Sequence, residues 1–240
     1  MKLKFLGTRG EIDVRTRRHR MHSSLEVSYR GRAVMIDCGA DWVHRIQRMQ
    51  PDAVVLTHAH PDHAAGLKYG APCQVYATDE TWSCLKGFPL KDRVTVIPRM
   101  PFLIRKIVFE AFTVEHSLRA PAVGYRITAG RSAVFYVPDL VCIDEQHEAL
   151  SGIQIYIGDG ASLRRPIVRK RNHSLIGHAS IRTQLSWCRQ EGVCRAIITH
   201  CGSQIVSADV RTMDRAIREL GLEQGVETKT AFDGFEVILP

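Results

Sequence analysis

The chain has 240 residues, of which 45% are apolar and 24% charged, and it carries a formal net charge of +8. That balance excludes a disordered chain, and no apolar run reaches the length of a membrane-spanning helix, so a protein with a full buried core and no membrane partner is expected. Excess positive charge favours anionic partners such as phosphates or nucleic acid; the plainer alternative is a basic but inert surface.

The N-terminal stretch "MKLKFLGTRG" lacks the apolar core of a signal peptide. Seven cysteines at irregular spacing, with no C-x-x-C, argue against a disulfide framework or a cysteine zinc ribbon. Both observations point to a reducing, cytoplasmic setting.

Strand patterns come first: "KLKFLG", "SLEVSYR" and "RAVMIDCG", the last two forming a hairpin that turns at Arg30, Gly31 and Arg32. "ADWVHRIQRM" puts Trp42, Ile46 and Met49 at helical spacing, and Pro51 ends that segment. "DAVVLT" is the next strand, followed by "HAHPDHAAG". Thr78 opens a short helix over "TDETWSCLKG". Further strands are "RVTVI", "KIVFEAFTVEH", "AVGYRIT", "SAVFYV" and "IQIYIG". Ser180 caps a helix with Ile181, Leu185 and Cys188 on one face. "RAIITH" is a strand, "ADVRTMDRAIRELG" a helix, and "FEVIL" a final strand. Strands cluster in each half with helices following, which predicts an α/β chain of two stacked sheets with helices outside, in one domain over residues 1–240.

The strongest local signal is the H-x-H-x-D-H spacing of His58, His60, Asp62 and His63 directly after an apolar strand. A strand end fixes side chains on a rigid support yet leaves them facing a cleft. Imidazole and carboxylate together bind zinc and its neighbours. Three more candidates sit just past apolar runs: His116, Asp139 and His200. Each alone reads as a turn residue. Together they make five His and two Asp, a set suited to two metals bridged by a carboxylate.

The motifs "FLGTRG", "MIDCG", "THAHPDHAAGL", "PAVGYRI", "FYVPD", "GHAS", "AIITHCG" and "AFDGFEVIL" make the chain resemble the metallo-β-lactamase fold superfamily, hydrolases built as a four-layer αββα sandwich. Their order is similar to the phosphodiesterase branch, which includes tRNA 3′-processing endonucleases and cyclic-phosphate phosphodiesterases. The resemblance implies two divalent ions, Zn²⁺ first and Mn²⁺ or Fe as alternatives. His58, His60 and His116 would hold one, Asp62, His63 and His200 the other, and Asp139 would bridge them. It further implies phosphodiester hydrolysis by a metal-bridging hydroxide, with Asp62 and His178 as catalytic residues and His178 beside the scissile phosphate. Homodimers are common among such relatives.

Residues 117–138, between His116 and Asp139, leave no room for the long tRNA-gripping arm of bacterial ribonuclease Z. No cysteine precedes Cys38, so the extra structural zinc of phosphonate-pathway relatives has no ligands either. Two basic loops stand out instead: one with Arg9, Arg15, Arg17, Arg18 and Arg20, the other with Arg164, Arg165, Arg169, Lys170 and Arg171. Arg17, Arg18, Arg20, Arg165, Arg169 and Arg171 are the candidate grips for a polyanionic or nucleic-acid substrate, arginine being able to meet phosphate bidentately; the alternative is a pair of solvated loops. Asp159 reads as a turn residue before Gly160 or as a partner for His178. The same seven ligands would also serve a thioester or lactone hydrolase of glyoxalase II type, so they do not separate that function from phosphodiester cleavage.

Overall fold

The computed structural model describes residues 1–172 and 174–240; His173, at the end of the second basic stretch, lies outside them. In chain order come β1 (Lys2–Gly7), β2 (Ser24–Tyr29), β3 (Arg32–Ile36), α1 (Ile46–Met49), β4 (Ala53–Val55), α2 (Pro61–Ala64), β5 (Gln74–Ala77), α3 (Asp79–Cys84) and β6 (Arg93–Thr95). The second half holds β7 (Phe102–Ile104), β8 (Ile107–Glu115), β9 (Ala122–Ala129), β10 (Ser132–Tyr136), β11 (Cys142–Ile143), α4 (Gln146–Leu150) and β12 (Ile155–Asp159). It continues with β13 (Ile167–Arg171), β14 (Ser174–His178), α5 (Ile181–Gln190), β15 (Arg195–Thr199), α6 (Ser203–Val206), α7 (Val210–Gln224), β16 (Glu227–Thr230) and β17 (Glu236–Ile238).

One sheet runs β17-β1-β2-β3-β4-β5-β6 and the other β11-β8-β9-β10-β12-β15-β16, with β7 added against β8. Each is antiparallel on one side and parallel on the other: β3 to β6 in the first, β10, β12, β15 and β16 in the second.

Alternation along the strands assigns the layers. Val34 and Ile36 face inward while Met35 faces out; Ile155 and Ile157 face inward while Tyr156 faces out. The inward sets of both sheets form one core, with Phe5, Phe109 and Tyr125 among them. Outside the first sheet, Met35, Val54 and Leu56 pack on Trp42 and Trp82. Outside the second, Tyr156 and Ile198 pack on Leu185 of α5 and Ile217 of α7. Helix, sheet, sheet and helix are therefore stacked as the sequence patterns predict. All seven cysteines are free. Among the described residues no helix is long and apolar enough to cross a membrane.

Capping and turn chemistry agree with the sequence. Thr78, Ser180 and Asp209 accept the third-residue N–H of their helices. Arg30 and Gly31 both take positive φ, as a tight two-residue hairpin turn requires. Two segments differ. The helix expected over "ADWVHRIQRM" is a 3₁₀ turn over Ala40–Trp42 and the single turn α1, because His44 adopts φ 61° between them and stacks on Tyr69. Within the second basic stretch, Ile167–Arg171 is a strand rather than a loop, β13 pairing antiparallel with β14, while Arg164 and Arg165 precede it.

Candidate metal centre

Beyond β4 the chain bends at Thr57 and leads through His58 toward the next helix. His60 is the N-cap of α2, and Pro61 at its first position fixes the φ needed to start it. That turn places Asp62 and His63 beside the two preceding histidines. His116 follows β8, Asp139 follows β10 and His200 follows β15, so the donors meet at one end of the sandwich.

His60 Nδ1 lies 3.0 Å from His58 Nε2 and 3.2 Å from His116 Nε2. Asp139 Oδ2 is 3.3 Å from His58 Nε2 and 3.6 Å from His116 Nε2, and 2.9 Å from His63 Nε2 on the other side. Asp62 Oδ2 is 3.2 Å from His63 Nε2 and 3.1 Å from His200 Nε2. Two donor groups result from these residues, His58, His60, His116 with Asp139, and Asp62, His63, His200 with Asp139; a third cluster, Asp139, Asp159, His178 and His200, adjoins them, and Asp139 belongs to all three. All but half-buried His60 are buried.

Whether these residues suit a metal is decided by their outer partners. His58 Nδ1 donates to Thr57 Oγ1 at 3.0 Å, since that hydroxyl gives its own proton to Asp37. His63 Nδ1 donates to Asp37 Oδ2 at 2.8 Å, and His116 Nδ1 to the Gly177 carbonyl at 3.0 Å. Each ring is thereby fixed as the tautomer whose bare Nε2 points inward. His63 Nε2 and Asp139 Oδ1 are buried without a hydrogen-bond partner. Lone pairs and carboxylates converging in this way are what a divalent cation satisfies, and the donor set fits one.

Burial, helped by neighbouring imidazoles, pushes His60 down to about 4 and His58 and His116 below the ordinary histidine range, so these rings are neutral donors. Burial works against the ionised forms of Asp62 and Asp139, but the imidazoles facing them win and hold both carboxyls well below their usual range. His63 and His200 go the opposite way: burial disfavours their charge, yet the surrounding carboxylates raise them well above the usual range, so that without a cation a proton takes the inward nitrogen and with one it is displaced.

His178 closes β14, where its Nδ1 donates to Asp159 Oδ2 at 2.8 Å. It stands 24% exposed at the cleft, with Nδ1 3.5 Å from Asp139 Oδ1. Burial lowers its proton affinity, but Asp159 and then Asp139 raise it overall. Asp159 performs both roles the sequence left open, since its Oδ1 also accepts the Ala161 N–H at 2.8 Å. The cleft itself is a cavity of 430 Å³ lined by His60, Asp62, His116, Asp139, His178 and His200, with Glu11 and Ile12 on its rim.

The six candidate arginines are separated in space. Arg18 pairs with Asp214 at 3.5 Å and lies over the Phe232 ring; Arg17 lines a recess with Ile205 and Met213. Arg20 and Arg165 are exposed. Arg169 and Arg171 line a second cavity, of 490 Å³, together with His60, His116 and His178. Arg9 is buried at 1% exposure and spends its guanidinium on Asp41, at 2.7 Å, and on His22. Asp233 of "AFDGFE" holds the first basic loop, accepting the Arg20 and Met21 amides and the Thr8 hydroxyl.

Sequence reasoning missed the roles of Asp37, Thr57 and Gly177. Asp37 carried a signal, an acid directly after an apolar strand. The other two act through a hydroxyl and a backbone carbonyl, which leave none.

The sequence family described as beta-lactamase superfamily domain matches residues 32–201. A ribonuclease Z of Methanopyrus kandleri is 39% identical over 70 residues, 27% of this chain and 24% of that protein. The chain spans about a quarter of the length of the curated relatives it matches. Among solved structures, the metallo-beta-lactamase fold protein YhfI of Bacillus subtilis aligns with a TM-score of 0.76 at 17% identity, over 98% of both chains. A diphosphatase of the PhnP family aligns with a TM-score of 0.73 at 20% identity, over 100% of this chain and 98% of that one. A layered sandwich, donors gathered at its strand ends and a match across most of the chain agree: this protein belongs to the beta-lactamase superfamily and has the metallo-β-lactamase fold.

Proposed function

We propose that the chain is a single hydrolase domain that binds two divalent ions and cleaves phosphodiester bonds. The observation that carries this reading is His178: a histidine beyond the two groups that carry the H-x-H-x-D-H donors, clustered with Asp139, Asp159 and His200, facing the cleft and oriented by the buried carboxylate of Asp159. Its Nδ1 proton is committed to Asp159, so Nε2 serves the substrate. Asp159 and Asp139 raise its proton affinity above that of an ordinary histidine, which favours the form that can hold a phosphate oxygen or protonate the leaving oxygen.

His58, His60 and His116 would hold one ion, Asp62, His63 and His200 the second, with Asp139 shared. Bound there, the ions supply Lewis acidity toward a phosphate oxygen and a water acidified toward neutral pH. Asp62, at the cleft wall, would orient a water with its Oδ1, since Oδ2 faces His63 and His200. Zn²⁺ suits the imidazole-rich set; Mn²⁺ or Fe would find the same donors. The ribonuclease Z and PhnP-family relatives lend support from outside the chain.

The test is a metal determination on the purified protein alongside turnover of bis(p-nitrophenyl) phosphate and of a thioester. Two ions per chain with phosphodiester turnover is the expected result. Turnover of the thioester alone would reject this reading in favour of a glyoxalase II type of activity.

A further inference from the structure

The β13–β14 hairpin forms a sheet of its own beside the cleft. Its register pairs Ile167 with His178, Arg169 with Ile176 and Arg171 with Ser174. Cross-strand partners share a face, and so do residues two apart on one strand. Arg169 and Arg171 therefore lie on the face that ends in His178. Successive positions on that face are roughly 7 Å apart along the strand.

Three further observations tie this face to the metal centre. The 490 Å³ cavity that Arg169 and Arg171 line shares His60, His116 and His178 with the 430 Å³ cleft, so the two adjoin. The base of the hairpin is bolted to a ligand: the Gly177 N–H donates to the His116 carbonyl at 2.9 Å, and His116 Nδ1 donates back to the Gly177 carbonyl. Finally, both guanidiniums are exposed, and among the described residues neither meets a carboxylate, whereas Arg9, Arg15, Arg18, Arg99 and Arg164 each do. Adjacent unneutralised cations repel one another, and an anion placed between them removes that cost.

We propose that this hairpin face is a phosphate-binding subsite, and that the site accepts a single-stranded oligonucleotide whose phosphates beside the scissile one rest on Arg169 and Arg171. The inference depends on the phosphodiesterase reading above. The two-residue step along β13 is comparable to the separation of neighbouring phosphates in an extended strand, so each guanidinium meets one phosphate in a bidentate contact. Ile167 and Ile176, on the same face, offer apolar area to sugars and bases. Among the described residues no Phe, Tyr or Trp lies on it, so the grip follows backbone charge rather than base identity.

The experiment compares the metal-loaded wild type with Arg169→Gln/Arg171→Gln and with Lys2→Gln/Lys4→Gln, which removes equal charge from β1. Two ratios are read. The first is kcat/KM on a short single-stranded oligonucleotide over kcat/KM on bis(p-nitrophenyl) phosphate, which has no neighbouring phosphate. The second is the salt slope of binding to a fluorescent phosphorothioate strand, measured by anisotropy. The hairpin variant is expected to lose about tenfold in the first ratio and about 1.4 in the slope, two contacts at 0.7 each, while the β1 variant keeps both near wild type. An unchanged ratio and slope in a folded hairpin variant, or an equal loss in the β1 variant, overturns the subsite. Failure of the phosphodiesterase reading is recognised separately, as a metal-loaded wild type that cleaves neither substrate; the salt slope then still decides whether the hairpin binds phosphates.

Discussion

Asp37 accepts the Nδ1 proton of His63 across 2.8 Å, with neither side chain reached by solvent. The same carboxylate takes the amide and hydroxyl of Thr57, whose oxygen in turn steadies His58. One buried acid thus sets a ligand in each donor group. Asp37→Asn keeps the size of the side chain and tolerates its φ of 60°, but it cannot accept from all three donors. Metal affinity should fall about 10- to 100-fold, read by competition with a chelator.

His178 and the metal ligands should separate cleanly. His60→Ala is expected to lose metal and turnover together. His178→Gln should keep its metal while kcat falls by roughly 10²- to 10⁴-fold. Asp159→Asn should move kcat in the same direction. Metal analysis beside single-turnover rates would check this, and normal turnover by His178→Gln would remove the assigned role.

Gly177 has φ of 125°, and a methyl group there would lie 1.8 Å from the Ile167 carbonyl oxygen. Gly177→Ala must therefore spread the base of the hairpin, at a cost of about 1–3 kcal/mol from the backbone conformation alone. The carbonyl that fixes His116 and the residue that precedes His178 move with it. The expected result is lost turnover together with faster hydrogen exchange in β13 and β14, while β8 and β9 keep their protection.

A pH limb should come from His19. Burial, and then Arg18, lower it to about 4 from 6.5. Its Nδ1 donates to Thr8 Oγ1, which donates to Asp233. Because the folded-state value is the lower one, its stability contribution is complete above pH 6.5 and is lost as the pH falls toward 4, amounting to about 3 kcal/mol. Denaturation midpoints of wild type and His19→Gln should differ in slope across that window and run parallel above it.

What the sequence discloses follows chain proximity. His58, His60, Asp62 and His63 are legible because one strand end carries them all, and His116, Asp139 and His200 because each ends an apolar run. Asp37 is harder to see, since its partner is 26 residues away, in α2. Arg9 reads like the other arginines of its loop until Asp41, 32 residues on, is brought against it. Arg169 and Arg171 read as loop residues because exposed β13 has no alternation of apolar and polar side chains to reveal a strand. The break at His44 is equally silent, being a backbone angle rather than a composition.

The parting between the sheets also divides the donors. His58, His60, Asp62 and His63 precede β7, and every other donor follows it. A cut in the segment between β6 and β7 would leave each fragment with half a centre, held to the other by the shared apolar layer and by cross-sheet bonds such as Tyr125 Oη to the Leu56 carbonyl at 2.9 Å. Neither fragment alone could assemble either donor group, because each group takes two donors from before β7 and two, Asp139 among them, from after it. Metal uptake by the mixed fragments would then count rejoined molecules one by one, making the centre a built-in gauge of whether the two halves have found each other.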